Sequence, residues 1–274
     1  MDARSVTRYL ARIGAPRPRT PTAEALRDLH RRHLIAIPFE NLSIHLGQPI
    51  VLEEDALVRK LVADRRGGFC YELNGAFAAL LGALGFPVTL LAGGVYGEDG
   101  LSPPFAHMAL KVEADGPWLA DVGFGDHTLH PLRMDVAGPQ DDPAGTFQIV
   151  PADVADVAGG SDPAALDVLR DGKANYRVET MPRRLEDFVP MCWWQQTWPA
   201  SHFHRGLVCT LPVAGGRLTL SGRRLIRTVG GERTETALGS DKEVLAAYQD
   251  LFGISLDAVP EVAGESTNPN QQAK

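Results

Sequence analysis

The sequence predicts an α+β fold in which a run of helices is followed by a run of strands. In the first 86 residues, apolar side chains recur every three or four positions, which is the spacing of a helix face. Beyond Pro87 the apolar period changes to two, the alternation of half-buried strands. Helices and strands that occupy separate parts of a chain are typical of the α+β class.

Four helices are predicted in the first part of the chain. Asp2 and Thr22 are suitable N-cap residues for the first two, while Gly14 and Gly85 end the first and the fourth. The predicted spans are 2–14, 22–34, 53–63 and 70–84.

The rest of the chain is predicted to be mostly strands. These are 88–91, 106–113, 118–124, 147–150, 175–180, 207–211, 217–221, 225–229 and 232–238, with helices at 185–198 and 242–252. Residues 151–172 carry Pro, Gly and Asp, and we interpret them as a surface insertion with a short helix at 163–169. The tail, 260–274, has almost no apolar content and is predicted to be disordered.

Composition and charge exclude several classes of function. With 274 residues, 44% of them hydrophobic, the chain can bury a sizeable core, and its net charge of −7 argues against nucleic acid as the main partner. We find no apolar leader, no run of about 18 apolar residues and no glycine-rich nucleotide loop. Three widely spaced cysteines fit a reducing, cytoplasmic setting better than a disulfide framework. A soluble protein with neither membrane nor nucleic-acid partners is therefore expected.

Cys70 is the candidate nucleophile. It follows Gly67-Gly68-Phe69 and falls in the first turn of the fourth predicted helix, at the positive end of the helix dipole. This position and the upstream pair Arg65-Arg66 are expected to lower the pKa of the thiol toward a thiolate. A buried structural cysteine is the alternative interpretation, and it is the one we adopt for Cys192 and Cys209.

A predicted hairpin carries a candidate base and its partner. The apolar faces of its two strands meet only if the loop has three residues, Ala114-Asp115-Gly116, with Gly116 left-handed. That register sets Asp121 opposite Ala109 and Gly123 opposite His107. His107 and Asp121 then lie on one face as diagonal neighbours, with Cβ atoms roughly 7 Å apart.

A thiol, an imidazole and a carboxylate are the parts of a Cys–His–Asp triad, in which the carboxylate orients the imidazole that takes the thiol proton. The alternative is a solvated His and Asp on an exposed sheet face. Gly123 favours a site, because a missing side chain beside the histidine leaves room for another group to approach.

The other histidines are weaker candidates. His30 and His33 are assigned to a basic helix flank beside arginines, and His127 has no carboxylate pattern nearby except Asp126. His202 and His204 resemble a metal-binding pair, but no third ligand has a recognisable spacing. No metal site is predicted.

These residues resemble the arylamine N-acetyltransferase family. The resemblance covers about residue 4 to residue 256 and departs from the family pattern around 151–172 and in a shorter hairpin loop than some relatives have. The matching motifs are Arg66-Gly67-Gly68-Phe69-Cys70-Tyr71-Glu72, Phe105-Ala106-His107-Met108, Leu119-Ala120-Asp121-Val122-Gly123-Phe124-Gly125, Ile37-Pro38-Phe39-Glu40-Asn41-Leu42, Met191-Cys192-Trp193-Trp194-Gln195-Gln196 and Leu220-Ser221-Gly222-Arg223.

The resemblance implies a fold of three parts followed by the tail. These are a helical bundle with Cys70 (1–86), a β-barrel with His107 and Asp121 (87–184) and an α/β lid (185–259). It also implies that Cys70 is the nucleophile, His107 the base and Asp121 its orienting partner. Phe39 and Phe124 match aromatic walls of the acceptor pocket, although core packing explains them equally well.

The implied reaction is acetyl transfer in xenobiotic metabolism. Acetyl-CoA is the co-substrate, with no permanently bound cofactor, and the acceptors are small aromatic amines or hydrazines, or the oxygen of N-arylhydroxylamines. The acetyl group would pass through acetyl-Cys70 in a ping-pong sequence. The alternatives are a related CoA-independent amide synthase that closes macrolactam rings, a papain- or transglutaminase-like thiol hydrolase, and a non-enzymatic binding protein on the same scaffold.

Overall fold

The structure is a computed structural model that describes residues 1–152 and 164–262. Most of the predicted disordered tail and the middle of the predicted insertion therefore lie outside the described residues. The chain divides into two compact units. The first unit is Met1–Phe39 with Val51–Met191, and the second unit is Glu40–Ile50 with Cys192–Lys274.

Helices form where they are predicted at 2–14, 22–34, 70–84 and 242–252. The helix predicted at 53–63 is divided between a helix and a π-helical turn, the one at 185–198 begins as a 3-10 turn, and the short helices Leu42–His45 and His202–Arg205 are not among those predicted. In chain order the helical elements are α1 (Ala3–Arg12), α2 (Ala23–Ala36), α3 (Leu42–His45), α4 (Glu54–Val58), a π-helical turn (Arg59–Ala63), α5 (Cys70–Ala83), a 3-10 turn (Leu185–Phe188), α6 (Val189–Thr197), α7 (His202–Arg205) and α8 (Asp241–Phe252). Asp2 and Thr22 cap α1 and α2 through their side chains, as predicted. Among the described helices, none combines the length and the apolar character that crossing a membrane requires.

The strands are β1 (Phe39–Glu40), β2 (Val88–Gly97), β3 (Gly100–Leu101), β4 (His107–Glu113), β5 (Pro117–Ala120), β6 (Leu132–Arg133), β7 (Gln140–Asp142), β8 (Gly145–Pro151), β9 (Ala165–Arg170), β10 (Lys173–Arg183), β11 (Cys209–Val213), β12 (Gly216–Ser221), β13 (Arg224–Val229) and β14 (Glu232–Ala237). The α+β class is confirmed.

The sheet of the first unit forms a nearly closed barrel. Its order is β6-β5-β4-β2-β10-β9-β8-β7, with β3 paired to β2. The strands at the two ends of this order are joined through the Gln140 side chain on β7. It accepts from the Arg133 N–H on β6 at 2.7 Å and donates to the Arg133 C=O at 2.9 Å. The barrel core includes Leu91, Ala109, Leu119, Leu132, Phe147, Ile149, Val168, Tyr176 and Val178.

The second unit contains the antiparallel meander β11-β12-β13-β14, with β1 beside β11. Its core cluster is apolar and includes Leu218, Leu220, Val244, Tyr248 and Phe252, so that α8 contributes one face of it. Ser240 and Glu243 form a capping box at the start of α8, and Gly253 ends the helix in the left-handed conformation.

Two local predictions are wrong. The expected helix at 163–169 is not formed, because Ala165–Arg170 is strand β9, hydrogen-bonded to β8 and β10 on its two sides. The strand expected at 118–124 ends at Ala120, for a reason that concerns the site itself.

Candidate active site

Cys70 is the first residue of α5, as the glycine pair before it predicts. Its backbone is held by one half of a capping box, in which the Glu72 carboxylate accepts the Phe69 N–H at 3.2 Å. Lys60 donates to the same carboxylate at 2.5 Å. The Cys70 side chain is buried, with 3% of its surface exposed.

The hairpin formed by β4 and β5 has the predicted register. Leu110 pairs with Ala120 and Glu113 with Pro117, which requires the three-residue loop. Gly116 at the end of that loop has φ 117°, the left-handed conformation that glycine adopts without strain. His107 at the start of β4 and Asp121 just beyond β5 are thereby brought to one end of the hairpin.

β5 ends where two side chains accept hydrogen bonds from the backbone N–H groups that follow it. The Asp121 N–H donates to His30 Nε2 at 3.2 Å, and the Val122 N–H donates to Asn74 Oδ1 at 2.9 Å. Successive N–H groups of a strand point to opposite sides, so the two acceptors end the pairing of β5 on both of its edges. On the β4 side Asn74 stands between the strands, because its Nδ2 also donates to the Met108 C=O at 2.6 Å. The chain therefore leaves the sheet at Asp121, and the predicted pairings of Asp121 with Ala109 and of Gly123 with His107 are not formed.

Gly123 lies against the start of α5 instead. A Cβ on Gly123 would stand 2.7 Å from the Cys70 Cα and 2.7 Å from Asn74 Nδ2, which is closer than any real side chain approaches. The group that uses the room left by this glycine is the backbone of Cys70. The missing side chain thus brings the thiol-bearing turn next to the segment that carries Asp121.

The Asp121 carboxylate is buried and accepts three hydrogen bonds. His107 Nε2 donates to Oδ2 at 2.7 Å, while Asn74 Nδ2 and the Gly123 N–H each donate to Oδ1 at 2.9 Å. Burial alone would raise the pKa of Asp121. The positive potential and hydrogen bond of His107, with further contributions from His127 and Asn74, outweigh it and hold that pKa well below its usual value. The carboxylate is therefore charged at neutral pH.

This bond defines the tautomer of His107. Because Nε2 carries the proton given to the carboxylate, the lone pair of the neutral ring is on Nδ1. A ring held this way can accept a proton at Nδ1 while Asp121 stabilises the resulting positive charge.

An aromatic cluster surrounds His107. The ring of His107 lies 5.2 Å from those of both Phe124 and Tyr176, and His127 lies 5.1 Å from the same two rings. Burial lowers the pKa of His127 to about 4, so this second imidazole is neutral. Burial, with the charge of Asp121, raises the pKa of Tyr176 well above its usual value. Asp121 therefore has neutral neighbours on this side.

Phe39 and Phe124 approach the same place from different parts of the chain. Phe39 forms an isolated parallel bridge with Gly68, two residues before Cys70. A Cβ on Gly125 would stand 3.4 Å from the Phe39 ring, so that this ring packs on the residue that follows Phe124. Both phenylalanines are partly exposed.

Sequence reasoning missed three side chains of the site: Asn74, His30 and His127. His30 and His33 were assigned to a basic flank, but both are fully buried. The missed signal is their spacing, because Leu26, Leu29, His30 and His33 follow i, i+3, i+4, i+7 and so continue the apolar stripe of α2. Asn74 lies one turn after Cys70 on the same helix face.

The remaining cysteines and the histidine pair lie outside this cluster. Cys192 and Cys209 are buried, as predicted, and neither forms a disulfide within the described residues. His202 and His204 lie on α7, and within residues 1–152 and 164–262 no group of three His, Cys, Asp or Glu side chains could hold a metal ion.

Residues 22–261 match the family model described as N-acetyltransferase. Over 256 residues the chain is 36% identical to the arylamine N-acetyltransferase / N-hydroxyarylamine O-acetyltransferase of Salmonella typhimurium, covering 92% of this chain and 89% of that protein. The chain belongs to the arylamine N-acetyltransferase family. A family member from Mycolicibacterium smegmatis is also 36% identical, with 90% of this chain and 91% of that protein covered.

Solved structures of the family agree with the fold. The Salmonella typhimurium enzyme superposes with a TM-score of 0.83 at 32% identity, covering 94% of each chain. The Mycobacterium marinum enzyme in complex with CoA gives a TM-score of 0.80 at 33% identity, covering 91% of this chain and 92% of that one. The family assignment made from the motifs is confirmed.

Proposed function

We propose that this enzyme transfers an acetyl group from acetyl-CoA to the nitrogen of arylamines and arylhydrazines by way of acetyl-Cys70. The observation that carries the proposal is the buried link from Cys70 through Gly123 to the Asp121–His107 pair. The names of its relatives support the acceptor class, and the CoA complex of a relative supports the donor. The O-acetylation named for the Salmonella relative is the second acceptor chemistry that we propose.

In the first half-reaction, His107 Nδ1 takes the Cys70 proton and the thiolate attacks the thioester carbonyl of acetyl-CoA. The tetrahedral intermediate collapses with loss of the CoA thiolate, which receives the proton from the imidazolium. One thioester replaces another, so the step has little thermodynamic cost. Asp121 remains charged throughout and stabilises the imidazolium.

In the second half-reaction, the neutral amine attacks the carbonyl of acetyl-Cys70. His107 accepts the proton that the new amide nitrogen loses, and it returns this proton to the Cys70 thiolate as that group leaves. The burial of Cys70 supports a long-lived thioester, because it restricts the approach of water. Phe39 and Phe124 are proposed to hold the aromatic ring of the acceptor.

The setting of the enzyme is also a proposal. None of the three cysteines, all of which lie in the described part of the chain, forms a disulfide, which supports a reducing, cytoplasmic environment. The proposed partners are the two substrates.

Mass spectrometry and initial rates test the mechanism. Acetyl-CoA without acceptor should add one acetyl group to the peptide that contains Cys70, and acetyl-CoA with an anisidine should give parallel double-reciprocal lines. Cys70→Ser should abolish both, while Cys192→Ser, at a buried thiol of the second unit, should preserve them. Intersecting lines, or hydrolysis of acetyl-CoA that is as fast without amine as with it, would favour a ternary-complex enzyme or a thiol hydrolase. Macrolactam closure without any use of acetyl-CoA would favour the amide synthase.

A further inference from the structure

One buried histidine ties together the two ends of the loop that carries Asp121 and Phe124. His30, on α2, accepts the Asp121 N–H at Nε2 (3.2 Å) and donates from Nδ1 to the Leu129 carbonyl at 3.0 Å. Only the neutral tautomer with its proton on Nδ1 satisfies both contacts. The side chain is fully buried.

The far end of the loop is itself anchored. The Leu129 N–H donates to Asp142 Oδ1 at 2.9 Å, and His130 donates to Asp142 Oδ2 at 3.0 Å from both its backbone and its ring. His30 therefore connects a part of the loop that is fixed to β7 with the backbone of Asp121. Removing it would leave the Asp121 N–H unpaired in the interior and would release the residue that orients His107.

We propose that His30 is a positioning residue of the site, which fixes the backbone of Asp121 so that its carboxylate stays aligned with His107. The proposal rests on the triad proposed above. His30 touches neither substrate nor thiol; it acts through Asp121, as a neutral donor and acceptor in one rigid ring. Its role would be to keep the His107–Asp121 bond of 2.7 Å in place through the catalytic cycle.

Protonation would remove this function. Burial lowers the pKa of His30 to about 4, despite the hydrogen bond to Leu129 and the charge of Asp121. A protonated ring would direct a second donor at the Asp121 N–H, so the contact exists only in the neutral form. The titratable groups with which the His30 ring interacts are His33, Asp121, His127, His130 and Asp142.

His33 provides a matched control. It lies on the same helix, is equally buried, and its pKa is also lowered by burial. Its Nε2 is hydrogen-bonded to the Tyr9 hydroxyl at 2.9 Å, and its Nδ1 has no hydrogen-bond partner within the described part of the chain. A substitution there disturbs the same core without touching the Asp121 segment.

The test compares His30→Phe, His30→Gln and His33→Phe in the full-length enzyme. The rate of Cys70 alkylation by iodoacetamide is measured against pH, together with single-turnover acetylation by p-nitrophenyl acetate. His30→Phe should slow acetylation by about tenfold to a hundredfold and move the alkylation profile upward by about one pH unit, because a misaligned Asp121 stabilises the imidazolium less. His30→Gln, whose amide can both accept and donate, should recover most of the rate.

His33→Phe should lower the melting temperature yet leave the alkylation profile where the wild type has it. Equal profiles for His30→Phe and His33→Phe would overturn the proposal. Asp121→Asn in the same assays separates the two levels of inference: if it retains the wild-type rate, the triad itself fails, and if it loses the rate while His30→Phe does not, only the role of His30 fails.

A measurement on the wild type covers the case in which His30→Phe does not fold. Hydrogen exchange followed by NMR should show the Asp121 N–H strongly protected at pH 7. Rapid exchange of this amide, with slow exchange at the buried Leu73 N–H, which donates to the Phe69 C=O at 3.0 Å, would show that His30 does not hold it.

Discussion

The buried residues around Asp121 in the first unit, here called the first interior, differ in chemistry from the core cluster of the second unit, here called the second interior. Ionisable groups lie deep in the first interior, where a charged Asp121 contacts His107, and burial keeps His30, His33 and His127 neutral. The core cluster of the second unit is mostly aliphatic and aromatic, with Leu220 and Val244 fully buried, and it contains no Asp, Glu or His. We therefore expect chemistry and pH sensitivity to follow the first interior, and stability that is insensitive to pH to follow the second.

The largest effect should come from the charge at the centre of the first interior. Asp121→Asn preserves the shape of the side chain but removes the charge that fixes the His107 tautomer, so acetyl transfer should fall by about 10³–10⁴-fold. Steady-state rates at pH 7, with circular dichroism to check folding, measure this.

Asp167→Asn is the control for that substitution. Asp167 is also a mostly buried carboxylate of the first unit, but it pairs with Arg177 at 2.8 Å and with the Tyr96 hydroxyl at 3.1 Å and has no contact with His107. Its rate should stay close to that of the wild type. A comparable loss in both variants would mean that the first unit responds to any lost carboxylate, and the triad would have no special standing.

The second interior should respond through packing alone. Leu220→Ala removes a fully buried side chain from the cluster against α8 and should lower the free energy of unfolding by about 2–5 kcal/mol. The loss should be the same at pH 7 and pH 5.5, since nothing that titrates in this range is altered. Urea denaturation at both pH values checks this, and a loss that changes with pH would break the contrast between the interiors.

The sequence predicts well what depends on local patterns. The period-two alternation and Gly116 determine the hairpin register, and the glycine pair before Cys70 determines where α5 begins. The end of β5 could not be predicted, because the groups that take the N–H donors of Asp121 and Val122 come from His30 and Asn74, distant in sequence. When a side chain from another element interrupts a ladder, the sequence of the interrupted strand does not show it.

The burial of the histidines in α2 shows a different limit of prediction from sequence. Their spacing belongs to the apolar stripe, but the neighbouring Arg31 and Arg32 suggest a solvated flank. A neutral imidazole with hydrogen-bond partners is tolerated in a core where a charged side chain is not. The polar partners that decide between these outcomes are supplied by the tertiary fold.

An effect of intermediate size is expected in how the free energy of unfolding depends on pH, which should differ between the two interiors. Burial lowers the pKa of His127 to about 4 from an unfolded value of 6.5, so between these values the unfolded chain binds the extra proton and stability falls as the pH falls. Each such histidine contributes a slope of about 1.4 kcal/mol per pH unit in this window. His127→Gln should therefore reduce the slope of stability against pH by about that amount, whereas Leu220→Ala should leave it unchanged. Urea denaturation at pH 7, 6 and 5 measures both slopes, and a wild-type slope in His127→Gln would contradict the assignment of a buried neutral ring.

The smallest effect should come from charges that neither interior holds. β14 is the terminal strand of its sheet, all of its residues are exposed, and Arg233 donates to Glu235 on its surface at 2.5 Å. Solvent screens such a pair, so Glu235→Gln should leave the unfolding midpoint within experimental error at any pH from 5 to 8.

The charges of β14 should matter in another way, because an edge strand with unpaired backbone groups can pair with a second copy unless charged side chains oppose it. The double variant Arg233→Val with Glu235→Val should therefore keep the stability of the wild type but self-associate at lower protein concentration, as sedimentation velocity would detect. If the double variant stays as dispersed as the wild type, the charges of β14 have no role in protecting the edge, and if Glu235→Gln alone shifts the midpoint, the pair is less screened than its exposure indicates.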